Sequence, residues 1–210
     1  MKEELLKRHR ELKPEIRARL SDFRKVWRQG DRKIFGELCF CICTPQSKAV
    51  YCDKAVKELE RSGVLFSGSV PEVRKRLKAV RFPNNKARFI VETRKRLSVG
   101  GKIMIKRHID PADLFSTREW LVENILGLGL KEASHFLRNI GFGDRLAILD
   151  VHILKNMVRL GVIKERPKNT GRKIYYELEK KFRDLAAELG IPMAELDILL
   201  WARETGVVFK

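Results

Sequence analysis

"GLGLKEASHFLRNIG", residues 127–141, sets two glycines directly before a helical pattern whose second residue is a lysine. Ala133, Phe136, Leu137 and Ile140 recur at the i, i+3, i+4, i+7 spacing of an amphipathic helix, and Gly141 closes it. Upstream, "STREWLVENIL" (116–126) reads as a second helix opening on the S-x-x-E pair of Ser116 and Glu119, in which each side chain satisfies an exposed backbone N–H of the other. Gly127 then ends that helix, and Gly129 is expected to allow the tight connection because glycine tolerates positive φ. The result is a helix-hairpin-helix over about 117–140. Its hairpin and second-helix amides lack intrahelical partners, so they form a ready site for a phosphate. A P-loop does not fit: Gly127 to Gly129 is too short for G-x-x-x-x-G-K-[ST], and Glu132 follows the lysine.

The rest of the chain suits a polyanionic partner. Lys and Arg total 45 against 27 Asp and Glu in 210 residues, a net charge of +18 spread along the whole sequence. Cationic side chains gain by displacing counterions condensed on phosphates, so nucleic acid is the expected ligand. The start, "MKEELLKRHR", is charged rather than a signal peptide, and no apolar run approaches the roughly 20 residues that span a bilayer, so a cytoplasmic protein is expected. Cys39, Cys41 and Cys43 alternate; on a helix that spacing turns successive side chains about 200° apart, so they cannot converge on one ion. With Cys52 they are expected to be buried thiols.

Amphipathic helices separated by short breakers continue to both ends, with almost no alternating strand pattern. Residues 3–29 carry Leu5, Leu12, Ile16, Leu20, Phe23 and Trp27 at helical spacing, interrupted near Pro14. Asp31 is expected to cap the next helix, Ser69 and Pro71 to start one running through Val80, Asp150 to cap "DVHILKNMVRLG", and Pro192 to start the last. In the helix after Pro83, Phe89, Ile90, Thr93 and Leu97 are expected to face inward.

Lys131 and Asp150 sharpen the chemistry. A cation in the first turn of a helix opposes the helix dipole, so Lys131 is a poor structural choice there and a good site for an amine that must shed its proton to attack. Asp150, 19 residues on, has an adequate purely structural reading as a cap.

Taken with these residues, "NILGLGLKEASHFLRNIGFGDRLAILDVHIL" resembles the helix-hairpin-helix, glycine-rich hairpin and distal aspartate of the base-excision DNA glycosylases. It is most similar to the short archaeal type of 8-oxoguanine DNA glycosylase/AP lyase. "TPQS", "RFPNNKARFI" and "LLWARETGVVFK" extend the resemblance over essentially the whole chain.

The resemblance implies an all-α protein of two helical lobes, 31–128 as a helical barrel and 1–30 with 129–210 as a discontinuous second lobe. It implies a monomer that excises 8-oxoguanine from duplex DNA through a lysine Schiff base and then cleaves the abasic site by β-elimination. Lys131 matches the nucleophile and Asp150 the carboxylate beside it. Gly127, Gly129 and Lys131 would offer amides to phosphate, with His152 as a further phosphate contact. Gln46, Phe82, Trp201 and Lys210 match base-recognition positions, since a base must leave the duplex to be cut. The carbonyls of Glu123, Ile125 and Leu128 fall where relatives hold a monovalent cation, Na+ or K+. No cofactor is required, and the C-terminal cysteine quartet of the endonuclease III relatives is missing, so no iron–sulfur cluster is expected. Two other readings share the motif: a glycosylase/lyase for oxidised pyrimidines, and a non-catalytic DNA-binding module.

Overall fold

The computed structural model describes residues 2–209, so Lys210 lies outside the described residues. The chain is helical nearly throughout, and it divides into two compact units. One runs from Val26 to Phe136; the other joins the residues up to Lys25 with those from Leu137 onward. Both divisions fall inside helices, α1 (Lys2–Arg28) and α8 (Leu130–Asn139).

The continuous unit is built around α2 (Asp31–Cys43), in which every residue from Ile34 to Cys43 is buried. That all-round burial explains the alternating cysteines Cys39, Cys41 and Cys43, which are buried thiols, as is Cys52 in the next helix. Removal from water holds the Cys39 and Cys43 thiols well above their ordinary pKa and pushes Cys52 up to about 11. On α2 pack α3 (Ala49–Arg61) and α6 (Pro83–Leu97), with the short α4 (Val64–Ser67) against α3 and α5 (Val70–Arg76) between α3 and α6. Two-residue strands, β1 (Ser98–Val99) and β2 (Lys102–Ile103), pair antiparallel across Gly100 and Gly101, both with positive φ. The glycine pair supplies the conformation a tight hairpin needs, which the helical pattern of the sequence gave no reason to expect.

The discontinuous unit packs α11 (Met193–Thr205) against α9 (Val151–Arg159) and α10 (Arg172–Leu189). One carboxylate holds its N-terminal helix at two points: Glu195 in α11 lies 2.7 Å from His9 Nε2 and accepts from Arg17 Nε at 2.9 Å. Burial alone would raise the Glu195 pKa, but those two hydrogen bonds outweigh it and hold the carboxyl below its ordinary value.

Several local expectations give way to tertiary structure. Helix α1 continues through Pro14 without a break. Pro14 is exposed, so the backbone bond it removes is left facing water, while Leu5, Ile16, Leu20 and Phe23 bury the opposite stripe. Asp31 is not a cap: Gly30 holds that position, and Asp31 Oδ1 accepts instead from the Lys106 N–H at 2.8 Å. Helix α7 (Leu114–Asn124) is capped by Asp113, which accepts from Ser116 N at 3.0 Å and from its hydroxyl at 2.6 Å, so Ser116 lies inside the helix. Helix α5 opens on the Ser69–Glu72 capping box but stops at Arg76 rather than Val80. Ile90, Thr93 and Leu97 are buried as expected, and Phe89 is half-buried.

Candidate active site

The hairpin between α7 and α8 has one left-handed glycine. Gly127 has φ +82°, and a Cβ there would lie 2.6 Å from the Phe89 ring, so conformation and space both exclude a side chain. Gly129, contrary to the sequence expectation, is not left-handed; its carbonyl accepts from Ala133 N at 2.9 Å to start α8. Its N–H donates to Glu132 Oε2 at 3.2 Å. This return contact has a second consequence. Neighbouring residues on a helix do not face one another, yet Glu132 Oε1 lies 2.7 Å from Lys131 Nζ, because the carboxylate is already folded back over the hairpin. Lys131 therefore stands in the first turn of α8 paired with its neighbour's carboxylate, with about a quarter of its side chain exposed. Glu123 lies in the last turn of α7, Ile125 is its C-cap and Leu128 stands in the hairpin, where the Ile125 carbonyl accepts from Leu128 N at 3.3 Å.

Gln46 and Phe82 share a feature that composition could not reveal. They are the only non-glycine residues with positive φ among those described, at 55° and 56°. Such a conformation costs on the order of 1–3 kcal/mol per residue and persists only where the surroundings enforce it. Phe82, at the N-terminus of α6, is half exposed, with Arg81 Cζ 4.9 Å from its ring centroid. Beside the Gln46 stretch, on the helix that Phe82 opens, stands Lys86, which has no part in the sequence expectations. Its Nζ is buried and donates to Cys43 O at 2.6 Å, Pro45 O at 2.8 Å and Ser47 Oγ at 2.9 Å. Burial lowers its pKa, and the charges of Lys131 and Arg81 act in the same direction. One signal could have found it: Lys86 occupies the stripe continued by Ile90, Thr93 and Leu97, a position where a lysine has no reason to be unless something receives its charge.

In the discontinuous unit, Asp150 is the N-cap of α9, its Oδ1 accepting from His152 N and Ile153 N at 2.8 Å each. The buried segment before it is held on α10. Ala147 donates to Glu179 at 2.8 Å, and its carbonyl accepts from the Tyr175 hydroxyl at 2.6 Å. His152 stands edge-on to Trp201 with ring centroids 6.4 Å apart, and Trp201 stacks on Phe209 at 6.3 Å. Phe209, unmarked in the sequence reading, thus brings the end of the chain onto α11, one residue before Lys210. The buried pair of Arg138 and Asp197 lies in the same unit at 3.0 Å. Burial and the charge of Asp150 push the Asp197 carboxyl up to about 7 against the pull of Arg138.

The predicted residues thus fall into two groups. Lys131, Gly127, Gly129, Gln46 and Phe82 belong to the continuous unit, and Asp150, His152 and Trp201 to the discontinuous one.

The family described as 8-oxoguanine DNA glycosylase matches residues 16–191. An 8-oxoguanine DNA glycosylase/AP lyase of Fusobacterium nucleatum is 44% identical over 99% of this chain and 96% of its own length. The crystal structure of the 8-oxoguanine DNA glycosylase of Thermotoga maritima superposes with a TM-score of 0.86 at 37% identity, covering 100% of both chains. That of the Methanocaldococcus jannaschii 8-oxoguanine glycosylase/lyase, in complex with a 15mer DNA containing 8-oxoguanine, gives 0.86 at 34% identity over 98% of this chain and 99% of that one. Matched along its length in sequence and in fold, this chain belongs to the 8-oxoguanine DNA glycosylase family.

Proposed function

We propose that this protein excises 8-oxoguanine from duplex DNA and then cleaves the strand at the abasic site, with Lys131 as the nucleophile. The observation that carries the reading is Lys131 itself: a basic side chain in the first turn of α8, where a positive charge opposes the helix dipole, partly exposed beside a hairpin whose amides suit a phosphate. The family membership and the DNA-bound relative support the same chemistry.

In the reaction Lys131 Nζ gives up a proton and attacks C1′ of the extruded nucleotide, and the C1′–N9 bond breaks with its electron pair passing to the departing base. The new ammonium linkage passes a proton to the departing base, the C1′–O4′ bond then breaks with O4′ taking up the proton that Lys131 first released, and the C1′=N protonated Schiff base forms; loss of a C2′ proton expels the 3′ phosphate, and water hydrolyses the C=N bond to free the lysine. Asp150 acts electrostatically, steadying positive charge that develops on the sugar. Before DNA arrives, Glu132 occupies the Gly129 amide and pairs with Lys131; a backbone phosphate seated on the hairpin competes for that amide. The carbonyls of Glu123, Ile125 and Leu128 are hard oxygen donors of the kind that suit Na+ or K+ at the hairpin. Gln46, Phe82, Trp201 and Lys210 are assigned to the flipped base, and His152 to a phosphate. An enzyme of this kind works in the cytoplasm on nucleoid DNA; no helix among the described residues is long and apolar enough to cross a membrane.

The test is an 8-oxoguanine:C duplex run beside a thymine glycol duplex, with borohydride trapping. Wild type is expected to cut the first and form a trapped adduct, and Lys131→Gln to bind it without adduct. Preferential cutting of thymine glycol, or trapping by Lys131→Gln at the wild-type level, overturns the proposal.

A further inference from the structure

Lys86 does more than fill the core. An ammonium has three donors, and all three are spent on acceptors from one stretch, the Cys43 and Pro45 carbonyls and the Ser47 hydroxyl. Two of these acceptors flank Gln46 directly. The same Ser47 hydroxyl accepts the Arg81 N–H at 3.0 Å, and the Lys86 N–H donates to the Phe82 carbonyl at 3.2 Å. One side chain and its own backbone therefore bind the two segments that carry the only left-handed non-glycine residues described, Gln46 and Phe82. A buried charge is tolerated here because the carbonyl dipoles and the hydroxyl take the place of water. A neutral side chain of similar volume would leave Cys43 O only the Cys52 thiol at 3.2 Å and Pro45 O only the Ser47 hydroxyl at 3.4 Å, and so would loosen the Gln46 stretch from the helix that Phe82 opens.

We infer that Lys86 is a positioning residue for base recognition, clamping the Gln46 and Phe82 segments together in the conformation that reads the extruded base. The inference rests on the assignment of Gln46 and Phe82 to the base, as proposed above. It makes a split that loss of fold would not: an abasic site has no base to read, so the lyase step on a preformed abasic duplex does not need the clamp.

The experiment measures single-turnover base release from an 8-oxoguanine:C duplex and strand cleavage of a preformed abasic duplex, for wild type, Lys86→Met, Ser47→Ala, Phe82→Ala and Gln46→Ala. Misplacing a recognition group slows reaction steeply, so Lys86→Met is expected to lose on the order of tenfold or more in base release while abasic cleavage stays within about twofold. Ser47→Ala removes one of three acceptors and is expected to lose about threefold in the same sense. Ser47→Ala decides the matter if Lys86→Met does not fold. Equal losses in both reactions, or unchanged base release in the folded variants, overturn the inference. If Phe82→Ala and Gln46→Ala leave base release at the wild-type rate, the base-recognition assignment fails and takes the inference with it. If they lower it and the Lys86 and Ser47 variants do not, the clamp alone is wrong.

Discussion

Helices α8 and α9 begin with charges of opposite sign. Asp150 is where elementary physics would put an anion: at an N-cap, with two backbone N–H groups donating to it at 2.8 Å and the helix dipole in its favour. Lys131 is where physics would not put a cation, and the structure compensates by folding Glu132 back against it. Asp150 contributes to stability whatever else it does, whereas Lys131 costs some. A residue the fold merely tolerates is a better sign of chemistry than one the fold also uses.

The largest expected effect breaks the two ends apart. Lys131→Gln should abolish borohydride trapping and reduce base release by orders of magnitude, yet leave thermal stability unchanged or raised by up to about 1 kcal/mol, because a charge opposing the dipole is gone. A clear drop in melting temperature would show that the lysine holds the fold as well, and the contrast with Asp150 would weaken.

Asp150 needs two substitutions to separate its roles. Asp150→Asn keeps a side-chain oxygen for the cap, so stability should change by less than about 0.5 kcal/mol while base release falls on the order of a hundredfold; Asp150→Ala should add about 1 kcal/mol of destabilisation. Denaturant melts with single-turnover assays measure both. If Asp150→Asn keeps the wild-type rate, the aspartate is a cap only.

A smaller effect sharpens the picture of the hairpin that feeds α8. Gly127→Ala meets both the φ of +82° and the Phe89 ring at 2.6 Å, whereas a Cβ at Gly129 meets only the end of the Glu132 side chain at 3.2 Å. Gly127→Ala should therefore cost about 2 kcal/mol or more and Gly129→Ala under about 1. Equal losses in denaturant melts would contradict the single left-handed turn.

The smallest effect concerns a third helix start, where Glu195 in the first turn of α11 shows an anion put to structural use. Its folded pKa lies below its unfolded value, so its contribution is present above the unfolded pKa of about 4.3 and is lost as pH falls through the lower folded value. Melts of Glu195→Gln from neutral pH downward should show a lower plateau and a flatter acid limb than wild type. Parallel curves would mean that His9 and Arg17 do not depend on the charge.

Much of this was legible beforehand. The helical periods, the glycine hairpin, the opposed charges of Lys131 and Asp150 and the buried cysteines follow from spacings within a few residues, the range over which helix geometry operates. Local rules failed where a distant group competed. Asp31 left its cap for the Lys106 amide 75 positions away, and Pro14 was absorbed because the apolar stripe beside it was worth more than one exposed hydrogen bond.

The sequence by itself determined the helical architecture and singled out the lysine at the start of α8 that we propose reacts, since both are written in neighbours. Only the tertiary structure decided that Lys86 is buried with its charge spent on Cys43, Pro45 and Ser47, and that Gln46 and Phe82 are held left-handed. Those acceptors lie 39 to 43 positions from Lys86, and no helical period reaches that far.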